Sequence, residues 1–281
     1  MALTINTNMA SLITQRNLAS ATSKMSKAME RMVSGYKINH AKDDAAGYSI
    51  AGRWSSQITS LDVASSNTAM GLDLLKTAEG NYSLINTHLK RIRDLTMQAA
   101  NGTYGSLSLN AIRLEVESRL EEIDRIADTS EFNGIDLMTS KAKDINIQVG
   151  ISSDETNRVV LEADLFQETY ASILFGSPKV EFAAKIANND TASAQLDLID
   201  NAVSMISDRV TRIGALQNRL ESALESNEVQ MAAITSSLST IKDADMAEES
   251  SLYIQAQILQ QASATLLATA NQNPSIVLNL I

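Results

Sequence analysis

The two ends of this chain carry almost no charge, and this constrains the fold more than any other feature of the sequence. The stretch from Ser250 to Ile281 has no charged side chain, and the stretch from Met1 to Ser23 has only Arg16. Every other Asp, Glu, Lys and Arg residue lies between Lys24 and Glu249. Because charged side chains are what normally cover a solvated surface, we expect both ends to be buried against other protein.

Both ends have the residue spacing of amphipathic helices. Apolar residues recur on one side of each, including Leu12 and Leu18 near one end and Leu252, Leu259 and Leu266, seven residues apart, near the other. The C-terminal segment is too polar for a transmembrane helix. Such helices are marginal alone, so they are predicted to pack on each other and on further copies of the chain. The alternative is that both ends pack into the chain's own core.

The charged middle of the chain predicts long helices. It has few aromatic residues, 4% of the chain, and the chain has only two Pro. Heptad spacing predicts helices over 44–100 and 192–239, with a shorter one after Asn101-Gly102. Alternating residues predict a β-hairpin near 145–165, and residues 166–190, which have no clear period, are expected to form a surface excursion. The predicted fold is mainly α, an elongated antiparallel coiled-coil bundle with a small β-hairpin and paired N- and C-terminal helices.

Several function classes have no support in the sequence. The chain has no Cys, and its net charge of −10 opposes binding to nucleic acid or to an anionic membrane. His40 beside Asp43 and Asp44 could indicate a metal site, but helix capping is the better account of two carboxylates at a helix start. His88 has no second His or Cys nearby, and no catalytic or phosphate-binding motif is present. We therefore expect no enzyme activity, no cofactor and no metal.

Dispersed motifs then identify a resemblance that covers nearly the whole chain. The chain resembles bacterial flagellin in the motifs Glu30-Arg31-Met32-Val33-Ser34-Gly35, Asp43-Asp44-Ala45-Ala46-Gly47, Phe132-Asn133-Gly134, Gly214-Ala215-Leu216-Gln217-Asn218-Arg219-Leu220 and Ala270-Asn271-Gln272-Asn273-Pro274. The resemblance implies a structural subunit that polymerises into the bacterial flagellar filament for swimming motility. It also implies a secreted, extracellular protein exported without a signal peptide through the flagellum's own channel.

The resemblance assigns parts of the chain to zones of such a filament. Residues 1–43 and 241–281 would form the inner-core helices with their connecting spokes. Residues 44–165 and 191–240 would form the outer-tube domain, and 166–190 a short variable surface segment in place of large outer domains. Within the family the alternative is a hook–filament junction protein. Outside it, a chemoreceptor-like signalling rod would need membrane spans or an adaptor, and neither is visible.

The resemblance also implies partners and site residues. The partners are further copies of the chain in a helical homo-polymer, the flagellar export apparatus, an export chaperone and the filament cap. Inner-core assembly is assigned to Leu12, Leu18, Leu252, Leu259 and Leu266. A surface that binds animal Toll-like receptor 5 in many flagellins is matched by Arg91, Leu95, Gln98 and Glu115. The alternative is that Arg91 and Glu115 form filament contacts or a surface ion pair while Leu95 packs locally.

Overall fold

The structure confirms a mainly α fold. This computed structural model describes residues 7–139 and 143–278, with 273–278 described by their backbone alone. In chain order the elements are α1 Met9–Ser34, α2 Ala45–Ala100, α3 Ser106–Thr129, β1 Glu131–Phe132, β2 Ile135–Asp136, β3 Ile145–Gln148, β4 Arg158–Leu161, α4 Ala171–Leu174, α5 Lys179–Ile186, α6 Asn189–Lys242 and α7 Met246–Leu278. Within the described ranges, no helix combines the length and apolar character that a membrane span needs.

Local capping residues set the ends of α1. The Asn8 side-chain oxygen accepts a hydrogen bond from the Ser11 backbone N–H at 3.0 Å, which satisfies one of the free donors at the helix start. At the other end Gly35 adopts a φ of 74°, and its N–H donates to the Arg31 carbonyl at 2.8 Å. A residue without Cβ suits that left-handed conformation, so the sequence Ser34-Gly35 ends the helix.

Of the two carboxylates before α2, Asp44 caps the helix as the sequence predicts, whereas Asp43 bonds within the preceding loop and to Lys27. The Asp44 side chain accepts a hydrogen bond from the Ala46 backbone N–H at 3.1 Å, at the first turn of α2. The Asp43 side chain accepts from the His40 backbone N–H at 3.2 Å and pairs with Lys27 at 2.9 Å. The hydrogen bond with Lys27 lowers the pKa of Asp43 to about 2. Both carboxylates therefore have partners within the chain.

The chain divides into two compact units. One consists of the residues up to Ile58 together with those from Ala232 onward, and the other is Thr59–Met231. Both boundaries fall within long helices, α2 and α6. The finer division into inner-core and outer-tube parts stays a prediction.

In the first unit, the segments that join the helices pair with each other. The Lys37 backbone N–H donates to the Lys242 carbonyl at 2.8 Å, and the Ala244 N–H donates to the Gly35 carbonyl at 2.9 Å. The Lys242 ammonium also lies 4.0 Å from the centre of the Tyr36 ring, a cation–π contact. These contacts bring the end of α1 next to the start of α7.

The second unit has one continuous core along α2, α3 and α6. The heptad series of α2 supplies its central stripe, and α3 and α6 supply stripes with three- and four-residue spacing. Its fully buried members include Leu75, Ala78, Tyr82, Ile85, Leu89, Ile92, Val116, Leu120, Ile123, Ile199, Ile206, Ile213 and Leu220. The predicted helix faces are therefore the faces that meet.

The predicted β-hairpin is confirmed and lies on two of these helices. Strands β3 and β4 are antiparallel, with Ile147 opposite Val159. A Cβ at Gly71 of α2 would overlap the Ile147 side chain, so glycine permits the close approach. On the other side the buried Asn227 amide of α6 donates to the Val149 carbonyl at 2.7 Å.

Residues 166–190 do not form the expected surface excursion, because most of the large apolar side chains of this segment are buried, although Ile173 and Val180 remain exposed. Phe166, Phe182 and Ile186 belong to the core of the second unit. The rings of Phe175 and Phe182 stack with centroids 4.0 Å apart. The segment has no clear period because its helices α4 and α5 are short. The concentration of aromatic residues, three of the chain's four Phe, was the signal for burial.

A buried arginine of α6 ties this segment to the helices. The Arg209 guanidinium donates to the Thr169 hydroxyl at 3.0 Å and to the Gln167 carbonyl at 3.3 Å. It also lies over the Tyr82 ring, 5.9 Å from its centre. The Tyr82 hydroxyl in turn donates to the Leu165 carbonyl at 2.8 Å. Both contacts fix the start of the segment against the core.

We expect Arg209→Met to lower the free energy of unfolding by about 1–3 kcal/mol, because the buried Thr169 hydroxyl loses its donor. Urea denaturation measures the loss, and hydrogen exchange should show faster exchange confined to 165–175. Arg212→Met is the matched control, since Arg212 makes an exposed ion pair with Asp164 at 2.6 Å. An equal loss in both variants would contradict the anchoring role of Arg209.

Candidate functional site

The first candidate site is the pair formed by α1 and α7, which meet through their small residues. Ala21 and Ala28 of α1 are buried, as are Ala256, Ser263 and Ala270 of α7. Small side chains let the two backbones approach closely. The small residues that follow each heptad leucine of α7 therefore form the contact within the chain.

Polar groups fix the register of this pair. The Asn8 side-chain amide donates to the Ala270 carbonyl at 2.8 Å, and the Ser11 hydroxyl donates to the Asn271 side chain at 2.8 Å. These residues lie at the charge-free ends of the chain, so neutral hydrogen bonds replace ion pairs there. These contacts could not be predicted from the sequence, because uncharged Asn and Ser give no pairing signal.

An ion pair closes the other end of the two helices. The Arg31 guanidinium lies 2.7 Å from the Glu249 carboxylate, whose side chain is only 7% exposed. Removing either partner would leave a poorly solvated charge, which is costly. Sequence reasoning missed this pair, although Glu249 is the last charged residue before the uncharged C-terminal stretch.

The predicted assembly leucines are not buried by this contact. Leu12, Leu252, Leu259 and Leu266 are 48%, 43%, 46% and 60% exposed, and Leu18 is half-buried. Other large apolar side chains exposed on the two helices are Met9, Ile13, Met29, Val33, Ile254 and Ile258. Folded single chains rarely expose so many in one region. Their role in assembly stays a prediction, but the fold leaves them uncovered.

The second candidate site is the exposed surface between α2 and α3. Arg91 of α2 and Glu115 of α3 form an ion pair at 3.1 Å, and Gln98 is exposed further along α2. Leu95, however, is only 2% exposed and belongs to the core. Leu95 therefore continues the buried stripe of α2 and offers no exposed side chain, and its part in this candidate site stays a prediction. This arrangement is the one expected under the alternative interpretation, in which Leu95 packs locally beside a surface ion pair.

His88 borders this surface and interacts with a cation. Its Nδ1 atom lies 3.5 Å from Nη1 of Arg119, which also approaches Glu115 at 3.5 Å. Burial lowers the pKa of His88 below its ordinary value, Arg119 and Arg125 lower it further, and Glu122 acts in the opposite direction. A neutral imidazole can accept the Arg119 hydrogen bond. In the part of the chain that the structure describes, no group of three His, Cys, Asp or Glu residues could hold a metal ion.

Two models of known protein families match the parts of the chain that form these surfaces. The family model for the bacterial flagellin N-terminal helical region matches residues 5–143, and that for the C-terminal helical region matches residues 196–281. This chain belongs to the bacterial flagellin family. The two matches include both terminal helices and most of α2, α3 and α6, so the paired ends and the α2–α3 surface are parts of a flagellin.

Relatives that match over their full length are also named flagellin. The chain is 34% identical to a flagellin of Listeria innocua, with 99% of each chain covered. It is 36% identical to a flagellin of Bacillus subtilis, again with 99% of each covered. A solved structure of a putative flagellar hook-associated protein from Vibrio parahaemolyticus matches 72% of this flagellin and 100% of its own chain, with a TM-score of 0.60. At 15% identity that likeness concerns the fold alone.

The stability of this flagellin should fall on mild acidification through His88. Its folded-state pKa lies below the 6.5 of a free imidazole, so the unfolded chain binds more protons between these values. The contribution of neutral His88 to the free energy of unfolding is therefore complete above the unfolded-state pKa. This contribution decreases as the pH falls below that value. The midpoints of urea denaturation at about pH 7.5 and about pH 5 measure this loss of stability.

His88→Asn should show a smaller fall between the two pH values than the unchanged chain. His40→Gln is the control, because His40 is exposed and pairs with Glu30 at 2.7 Å, away from His88. That variant should keep the part of the fall that depends on His88. An identical fall in His88→Asn and the unchanged chain would contradict the assignment.

Proposed function

We propose that this flagellin polymerises into the filament through the exposed apolar faces of α1 and α7. The supporting observation is that these two helices expose large apolar residues, that their chain-terminal parts (up to Ser23 and from Ser250) carry only Arg16 as a charge, and that their mutual contact uses the small residues instead. Burying one exposed Leu or Ile stabilises a contact by roughly 1.5–3 kcal/mol. Repeated along a polymer of identical copies, such contacts favour assembly.

The same proposal implies where the protein is located and which further partners it has. The filament is extracellular and acts in swimming motility, so the subunit reaches it by export through the flagellum's own channel. An export chaperone and a filament cap are the other expected partners. A chain with no Cys is compatible with passage as an unfolded polypeptide, since no disulfide forms on the way. The role is structural, with no enzyme activity expected.

A hook–filament junction protein is the weaker alternative. The Vibrio hook-associated protein resembles this chain in fold only, whereas the full-length relatives carry the name flagellin. Copy number per flagellum distinguishes the two, because a filament subunit is present in great excess over a junction protein.

We expect Leu259→Gln to raise the critical concentration for seeded assembly by roughly ten- to a hundredfold, the equivalent of one buried leucine. Sedimentation, which separates polymer from monomer, measures this critical concentration. The helix content of the monomer should not change, since Leu259 is 46% exposed.

Leu107→Gln is the matched control, because Leu107 lies on α3 and is 86% exposed. This variant should assemble at the normal concentration. Equal effects of the two substitutions, or none from Leu259→Gln, would contradict assembly through α7.

A second role is proposed for the α2–α3 surface, the binding of animal Toll-like receptor 5. The exposed side chains available for it are Arg91, Gln98 and Glu115, and the ion pair between Arg91 and Glu115 holds two of them in place. Leu95 supports this surface from beneath. Its contribution to receptor activation is therefore expected to come through packing.

In a receptor reporter assay, Arg91→Ala should reduce the signal while leaving the melting temperature nearly unchanged. Arg93→Ala is the control, because Arg93 lies two residues on and pairs with Asp200 at 2.6 Å. Leu95→Ala should instead lower stability by about 2–5 kcal/mol, as for a buried leucine. Full signal from Arg91→Ala would remove the receptor role from this surface.

A further inference from the structure

The turn between α2 and α3 places an asparagine next to a glycine in an exposed position. Asn101 directly follows the last residue of α2, and Gly102 comes next. Both residues are exposed. A glycine after asparagine removes the Cβ that would otherwise hinder approach of its backbone nitrogen to the asparagine side chain.

The hydrogen bonds of this turn favour such an approach. The Thr103 backbone N–H donates to the side-chain oxygen of Asn101 at 3.2 Å, which folds the amide back over the Gly102 peptide. The Tyr104 N–H donates to the Asn101 carbonyl at 3.3 Å and closes the turn. A donor on the side-chain oxygen polarises the Cγ=O bond and stabilises negative charge that develops on it.

The nucleophile in this arrangement is accessible. Among the described residues the Gly102 N–H donates to no acceptor, so solvent base can remove its proton. Within the described ranges the side-chain oxygen of Asn101 accepts a hydrogen bond from Thr103, and both Asn101 and Gly102 are solvent-exposed. The turn therefore combines an exposed nucleophile, a polarised electrophile and free access of water.

We propose that Asn101 is a site of spontaneous deamidation. The Gly102 nitrogen attacks Cγ of Asn101, the new N–Cγ bond forms, and the Cγ–Nδ2 bond breaks as ammonia leaves with the proton from the amide. Water then opens the cyclic imide at either carbonyl. The products are aspartate or isoaspartate at position 101, and no oxidant or cofactor takes part.

The product changes the end of α2. A new carboxylate lies next to the negative end of the helix dipole, and the last turn of α2 has no basic residue to offset it. In the unmodified chain the Asn189 side-chain amide donates to the Asn101 carbonyl at 3.3 Å. Isoaspartate adds a methylene to the backbone at this point and moves that carbonyl. The modification therefore loosens the contact between this turn and the start of α6.

The chain contains its own comparison site. Asn133 and Gly134 form the only other Asn-Gly pair in the sequence. They have φ values of 50° and 77° and close the turn of β1 and β2, whose strands pair on either side. Cyclisation there must displace a paired hairpin. We therefore expect Asn133 to react more slowly than Asn101.

The test is ageing of the full chain in mildly alkaline buffer, followed by peptide mapping and enzymatic methylation of isoaspartate. The expected result is modification at position 101, faster at higher pH because the Gly102 nitrogen must lose its proton, with much less at 133. Hydrogen exchange of 98–104 should rise in parallel. Asn101 intact while Asn133 reacts, or equal rates at both, overturns the proposal.

Gly102→Ala separates the chemistry from general unfolding. A Cβ there would lie 3.9 Å from the nearest atom, the Asn189 amide nitrogen, so the variant has room to fold. It should deamidate at 101 at least several-fold more slowly, while the rate at 133 stays unchanged. An unchanged rate at 101 in this variant overturns the proposal.

Discussion

Burial of the apolar stripe of α2 is the interaction on which the second unit depends. Leu75, Tyr82 and Leu89 are fully buried, and α3, α6, the β3–β4 hairpin and the 166–190 segment all contribute to the same core. The fully buried side chains at seven-residue spacing keep one face of a long helix inside over many turns. Because this face is continuous, the shorter elements can dock along it without separate cores.

The terminal helices are packed differently, and the proposed assembly depends on this difference. Within the pair, alanine and serine make the contact, while larger leucine and isoleucine side chains remain outside. A helix pair that placed its leucines between its two members would have little apolar surface left for other copies. Here the stability of the pair comes from close backbone approach, neutral hydrogen bonds and the Arg31–Glu249 ion pair.

Periodicity led to the long helices and the hairpin, and a carboxylate at a helix start led to the capping role of Asp44, because each has a local signal in its own residues. Periodicity failed at 166–190, where short helices leave no repeat to detect and burial depends on aromatic residues meeting distant helices. Leu95 illustrates the same limit at the candidate site. The resemblance placed it on a surface together with Arg91, but Leu95 lies about 40° further round the helix, where it belongs to the buried stripe of α2. Which face meets α3 and α6 is a property of the whole unit.

The sequence by itself determined that this protein is a largely helical flagellin with uncharged ends, since motifs, heptads and charge distribution are written along the chain. The tertiary structure decided which residues meet. It placed Arg209 over Tyr82, joined Glu249 to Arg31, and left Leu252, Leu259 and Leu266 outside the terminal pair. The physical reason is that contacts between residues far apart in the chain depend on packing, and packing selects among faces that local patterns leave equivalent.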